Sequence, residues 1–143
     1  KGVLLPELKA LTGTIVVEQT GEPRALDWYK LRSGDRPYRW SGPNPRAKIL
    51  IPYTSKERVR ITLCVPAIEV PPLSDVRLAL NGDDVGYAIE PARKGHRLVI
   101  FPARLNESDY SILTIHTPRL AYPKEPTKPR GIAISDIILE AVA

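Results

Sequence analysis

The sequence predicts an all-β protein: an antiparallel sandwich of two sheets, of jelly-roll type, with little or no helix. Three observations lead to this prediction. Fifteen prolines and nine glycines interrupt the chain at short intervals. The segments between them alternate apolar and polar residues with the period of two that half-buried strands show. No long stretch carries the 3.6-residue period of an amphipathic helix, so we expect less than about a tenth of the residues to be helical.

In chain order, the first elements are short. Leu4–Leu11 would form at most a turn or two of helix. Alternating or aliphatic segments then predict strands at Gly13–Glu18, Tyr38–Trp40 and Ala47–Ile51.

The alternation is clearest in the central strand, Arg58–Val65. Its odd-numbered residues are apolar and its residues Arg58, Arg60 and Thr62 are polar, which predicts one buried and one exposed face. Val76–Leu80 repeats the pattern, and Asn81-Gly82 follows with residues that tolerate positive φ. We therefore expect a hairpin of Val76–Leu80 with Val85–Ile89.

The last elements are strands at Arg97–Phe101, Ser111–Thr117 and Gly131–Leu139, with a long proline-rich connection over Thr117–Arg130. In Gly131–Leu139 the alternation slips, and a bulge at Ser135-Asp136 would explain the slip. The competing interpretation is a short helix that Ser135 caps. Four isoleucines within seven residues favour the strand.

The length of 143 residues fits one domain, residues 1–143, whose core is large enough to be stable without a disulfide or a structural metal. We expect this domain to be a fragment of a larger protein. No apolar run reaches the ~20 residues of a membrane span.

Because Cys64 is the one cysteine of the chain, no intrachain disulfide can form. We expect Cys64 to be a buried, inert thiol rather than a nucleophile. This composition favours a reducing compartment, so we expect a cytoplasmic protein.

The net charge of +5 raises the question of nucleic acid as a partner. The basic residues are spread along the chain, often beside acids, which is more typical of a solubilising surface than of a phosphate-binding track. We therefore expect no nucleic acid partner.

The most distinctive feature of the chain is its aromatic cluster. Both tryptophans lie within residues 28–40, in a chain of which only 6% is aromatic. Trp28 and Tyr29 lie in a turn-rich segment, where loop residues on a rigid sandwich commonly bind ligands. Strand alternation makes Trp40 a core residue, whereas Arg39 would face solvent.

Sugar rings pack on Trp and Tyr and bring hydroxyls that need polar partners. The candidate ligand-binding residues are therefore Trp28 and Tyr29, with Asp27 and Arg39 as hydrogen-bonding partners.

No constellation indicates catalysis or a cofactor. Ser111, His116 and Asp109 form a nucleophile, base and acid on paper, but no pattern typical of a catalytic nucleophile supports them. Asn81-Gly82-Asp83-Asp84 is rich in oxygen ligands but lacks the spaced series of a calcium loop, so a hairpin turn is the better interpretation. We expect no catalytic residue, no metal and no cofactor.

The segments Arg39-Trp40-Ser41-Gly42-Pro43 and Arg130-Gly131-Ile132-Ala133-Ile134-Ser135-Asp136-Ile137 carry a family resemblance. From Trp28 to Glu140 the chain resembles accessory β-sandwich domains attached to bacterial glycosyltransferases and methyltransferases of surface-polysaccharide assembly. The resemblance implies a non-catalytic module that binds a glycan or polysaccharide, or that serves a partner domain of the same protein. The alternative is a structural or protein-interaction module that mediates docking or oligomerisation.

Overall fold

The structure, a computed structural model, describes residues 13–16, 38–42, 45–66, 73–107, 109–117 and 131–142, with the backbone alone for 13–16 and Arg39. Within these ranges only the 3-10 turn Leu73–Asp75 is helical, and no described helix is long and apolar enough to cross a membrane. The all-β prediction is therefore confirmed. The strands are β1 (Gly13–Val16), β2 (Arg39–Trp40), β3 (Arg46–Ile51), β4 (Arg58–Pro66), β5 (Arg77–Leu80), β6 (Asp83–Val85), β7 (Tyr87–Ala92), β8 (Gly95–Ala103), β9 (Ser111–His116), β10 (Ala133–Ile134) and β11 (Asp136–Val142).

These strands form a sandwich. One sheet has the order β1-β11-β4-β8-β7, the facing sheet has the order β3-β9-β5-β6, and β2 pairs with β10 in a two-stranded ribbon. All the pairings are antiparallel. The chain passes repeatedly between the two sheets, and jelly-roll connectivity stays a prediction.

The core lies between the two sheets, where alternate residues of the long strands point inward. In β4 the odd-numbered residues are buried, as the sequence predicts, and β3, β9 and β11 show the same alternation. Burying an Ile or Leu side chain stabilises a fold by about 1.5–3 kcal/mol. The largest fully buried side chains are Ile49, Ile51, Ile61, Leu63, Leu98, Ile100, Leu113, Ile115, Ile132, Ile134, Ile137 and Leu139.

A hairpin forms at the predicted turn, but its second strand is not the predicted one. Asn81 and Gly82 have φ of 53° and 89°, and Leu80 pairs with Asp83 across them. The expectation that Val85–Ile89 is the second strand is wrong, because the strand that pairs with β5 is Asp83–Val85. The chain then crosses at Gly86 to the other sheet, where β7 pairs with β8.

The segment predicted as one strand over Gly131–Leu139 is extended, which rules out the helical alternative. It divides at Ser135 into β10 and β11, which have different partners. The Ser135 N–H donates to the Cys64 carbonyl at 2.9 Å. The interruption therefore lies at Ser135-Asp136, where the sequence predicts it, and it moves the chain from the ribbon into the larger sheet.

Cys64 is half-buried rather than buried, because the alternation that buries Leu63 and Val65 turns it to the outer face of the sheet. There its register neighbours are Asp136 and Arg97. The expectations for Leu4–Leu11 and for most of the proline-rich connection, residues 118–130, lie outside the described residues.

Candidate functional site

The aromatic cluster divides into a buried part and a part that the structure does not describe. Trp40 is only 5% exposed and pairs with Ala133, so the core interpretation of this residue is confirmed. The backbone of Arg39 lies beside it in β2. Asp27, Trp28 and Tyr29 lie outside the described residues, and their assignment to a binding site stays a prediction.

Ser41 ties the turn after Trp40 to the segment that leads into β10. Its N–H donates to the Ile132 carbonyl at 2.8 Å, and its carbonyl accepts the Gly131 N–H at 2.8 Å. Its hydroxyl accepts the Ile132 N–H at 2.9 Å. Trp40–Gly42 and Gly131–Ile134 are therefore a buried structural clasp rather than an exposed surface.

The possible triad of Ser111, His116 and Asp109 is not assembled. Ser111 is fully buried and its hydroxyl accepts the Asn106 N–H at 2.8 Å. His116 lies at the other end of β9 and, by alternation, on its opposite face. The Asp109 carboxylate accepts the N–H of Tyr110 at 2.7 Å. Each of these side chains is therefore placed apart from the other two.

The outer face of the five-stranded sheet carries an exposed ring that the sequence analysis did not select. Phe101 is the single phenylalanine of the chain, and 57% of it is exposed. It points outward because Leu98 and Ile100 of the same strand point into the core. Its ring lies against Gly86, where an added Cβ would be 3.0 Å from two ring carbons. The absence of a side chain at residue 86 therefore leaves room for the ring.

An ion pair lies beside this ring on the same face. Phe101 and Pro102 form an irregularity opposite Arg60, since β4 pairs Val59 with Ala103 and Ile61 with Ile100. The Arg60 Nη1 is 3.9 Å from the Glu140 Oε1, and both side chains are a little over 40% exposed. We call Phe101, Arg60 and Glu140 the ring platform. It offers one apolar surface, several N–H donors and the two acceptor oxygens of one carboxylate.

A groove of about 560 Å³ opens between the β5–β6 hairpin and the edge strand β7. Its walls include Val85 and Ile89, and 42% of Ile89 is exposed. Tyr87 also lines the groove, and its hydroxyl lies 2.7 Å from the Leu73 carbonyl and contacts the Val76 carbonyl. Burial, and then the negative charge of Asp75, raise the pKa of Tyr87 above its ordinary value.

Comparison of the chain with protein-family models, with curated proteins and with solved structures gives no significant match. The resemblance to accessory domains of polysaccharide-assembly enzymes is therefore an expectation from the sequence motifs alone.

The ring platform was not predicted from the sequence. Phe101 stands alone at the end of an apolar run, away from the aromatic cluster. A usable signal was present in the alternation, because Leu98 and Ile100 as inward residues require Phe101 to face outward. The positions of Arg60 and Glu140 beside it depend on strand register, which pattern alone does not supply.

Proposed function

We propose that this domain is a non-catalytic carbohydrate-binding module, and that the ring platform is part of its binding surface. The observation that carries the proposal is the exposed Phe101 ring with the Arg60–Glu140 pair beside it. Trp28 and Tyr29, with Asp27 and Arg39 as polar partners, remain the second proposed contact region.

The chemistry of the ring platform suits a pyranose. A pyranose whose substituents are mostly equatorial presents axial C–H groups on its faces, and these pack on an aromatic face. The hydroxyls at its edge then need both donors and acceptors. The Arg60 guanidinium supplies donors only, and the Glu140 carboxylate supplies acceptors only. A single ring of this kind would give weak binding, with a Kd of about 1 mM or about −4 kcal/mol.

The wider context of the domain is also proposed. The resemblance supports an accessory role beside a bacterial glycosyltransferase or methyltransferase of surface-polysaccharide assembly, on the same polypeptide and in the cytoplasm. In that role even a weak site would hold the growing polymer near the enzyme. Because the site and the enzyme would lie on the same polypeptide, a bound polymer is at a high effective concentration for the enzyme.

The test is a titration of ¹⁵N-labelled protein, followed by amide chemical shifts, with the methyl glycosides of glucose, galactose and mannose. We expect at least one glycoside to shift the amides of Phe101 and Arg60 with a Kd in the millimolar range. Phe101→Ala should abolish these shifts, whereas the matched control Tyr110→Ala, which removes another exposed ring, should preserve them.

The same titration examines the second contact region. If glycans shift the Trp28 indole signal and Trp28→Ala abolishes binding with little change in melting temperature, the predicted residues belong to the site. Unfolding of the Trp28→Ala variant would show instead that Trp28 is a core residue. If none of the three glycosides shifts either region, the proposal of carbohydrate binding is wrong.

The alternative function is a structural or protein-interaction module, and the groove beside Ile89 favours it. The groove lies where β6 and β7 end their respective sheets, and sheet edges can accept a partner strand. Light scattering of the wild type and of Ile89→Glu would identify this alternative. Self-association that the substitution abolishes would support it, whereas a monomer in both cases would argue against oligomerisation through the groove.

A further inference from the structure

A row of three basic side chains crosses the outer face of the four-stranded sheet, on the side of the sandwich opposite to the ring platform. His116 of β9 pairs directly with Arg46 of β3 on one side and with Arg77 of β5 on the other. Arg46 and Arg77 are exposed and His116 is half-buried. Alternation places all three on the face away from the core, because their neighbours Ala47, Leu78 and Ile115 are buried. We call these residues the basic row.

The three residues come close together only in the folded protein. Side chains directly opposite each other on neighbouring antiparallel strands have Cβ atoms about 4.5–5.5 Å apart. His116 therefore lies between Arg46 and Arg77, and both positive charges act on its imidazole. Two residues further along the strands, Lys48, Thr114, Ala79 and Asp84 pair across the same face. Lys48 adds a positive charge at one end of this second row, and Asp84 adds a negative charge at the other end.

The electrostatics of this arrangement oppose protonation of the imidazole. Burial, and then the positive charges of Arg46 and Arg77, hold the pKa of His116 below its ordinary value. The two arginines, on either side of β9, also repel each other. An anion between the two guanidinium groups would reverse both effects, because it neutralises the repulsion and favours the protonated imidazole.

We propose that the basic row is a binding site for the anionic group of a ligand, an oxyanion of the carboxylate or phosphate-ester class. Arginine suits this role because its planar guanidinium donates two parallel hydrogen bonds to such a group. His116 between the two arginines adds a donor from its ring nitrogen and a charge that forms when the anion binds. The site lies on a different sheet from the ring platform, so it does not depend on the proposed carbohydrate binding there.

The test follows the two histidines by NMR as the pH is varied. His96 is exposed on β8 in the other sheet, and so serves as an internal reference in the same sample. The probes are inorganic sulfate, which stands for a phosphate ester and keeps its charge over this pH range, and the methyl glycoside of glucuronic acid. Sodium chloride at matched ionic strength and the neutral methyl glucoside are the controls.

We expect at least one of the two anions to raise the pKa of His116 relative to chloride and to leave the ring signals of His96 unaffected. By linkage, the same anion should bind more tightly as the pH falls through the pKa of His116, by about tenfold for each unit by which the anion raises that pKa. An effect of sulfate alone would identify a phosphate-type ligand, and an effect of the glucuronide alone would identify an acidic sugar.

Substitutions separate a specific site from general screening. Arg77→Gln removes one guanidinium from an exposed position, so the anion effect on His116 should be lost in a folded protein. Arg93→Gln removes an exposed arginine from the turn between β7 and β8 and should retain the effect. The proposal is wrong if neither anion shifts His116 more than chloride does, if His96 shifts equally, or if the folded Arg77→Gln variant responds like the wild type.

Discussion

Gly131→Ala should be strongly destabilising although it adds one methyl group. A Cβ at this position would overlap the Ser41 hydroxyl oxygen, and it would lie 2.9 Å from the Thr117 Oγ1 and 3.1 Å from the Thr117 Cβ. Ser41 cannot move away cheaply, because its hydroxyl accepts the buried Ile132 N–H at 2.9 Å. Ser41 and Thr117 are both 2% exposed, so neither side chain can rotate into solvent.

The magnitude follows from two contributions. Overpacking a well-packed region costs about 1–3 kcal/mol. Displacing the Ser41 hydroxyl leaves the Ile132 N–H without its acceptor, which costs about 1–3 kcal/mol more. We therefore expect Gly131→Ala to lower the free energy of unfolding by about 2–5 kcal/mol, since the region can relax in part.

The assay is urea unfolding of the wild type, both single variants and the double variant Ser41→Ala/Gly131→Ala. The main steric conflict is with the Ser41 hydroxyl, so removing that oxygen should relieve part of the effect. The loss in the double variant should be smaller than the sum of the two single losses by at least about 0.5 kcal/mol. Additive losses, or a loss below about 0.5 kcal/mol for Gly131→Ala alone, would show that the clasp around Ser41 is not packed as described.

Three other substitutions or conditions test separate parts of the account. Trp40→Ala should destabilise the fold by about 3–5 kcal/mol in urea unfolding, as large truncations in cores do, and a change below about 1 kcal/mol would contradict the burial of this ring. Tyr87→Phe should cost about 1–3 kcal/mol, because it removes the one hydroxyl proton that the Leu73 and Val76 carbonyls share, and an unchanged melting temperature would contradict the contact. The pKa of His116 is depressed in the folded state, so its stabilising effect is complete above its ordinary value of about 6.5 and is lost as the pH falls through the folded pKa. The His116→Gln variant should therefore lose less stability than the wild type between about pH 7 and pH 5, and equal losses would contradict the electrostatic assignment.

The sequence predicted those parts of the fold that depend on local alternation and turn chemistry. The odd-numbered residues of β4 face the core because polar and apolar side chains alternate from Arg58 to Leu63. Asn81-Gly82 forms the expected hairpin turn because both residues adopt positive φ. Trp40 is buried, as its place in a short strand indicated.

The parts of the fold that the sequence did not predict depend on strand register and on Gly86, where the chain crosses from one sheet to the other. Val85 and Tyr87 look like one strand in the sequence, yet Gly86 separates them into different sheets. The same alternation that was used for Val59–Val65 places Cys64 outward, although its apolar surroundings suggested burial.

The candidate sites could be predicted from the sequence only in part. Arg46, Arg77 and His116 lie in three separate strands, so no local pattern brings them together. The ring platform likewise combines residues of β4, β8 and β11. Asp27, Trp28, Tyr29 and the side chain of Arg39 are still candidates from the sequence alone.

The most direct measurement of the central claim, carbohydrate binding at the ring platform, is an isotope-filtered NOE experiment. Labelled protein would be mixed with the methyl glycoside that binds most tightly in the titration. The account predicts NOEs between the Phe101 ring protons and the axial C–H protons of the sugar, with none in Phe101→Ala. If no sugar proton gives an NOE to Phe101, or if its NOEs go to other rings alone, the ring platform is not the sugar-binding surface.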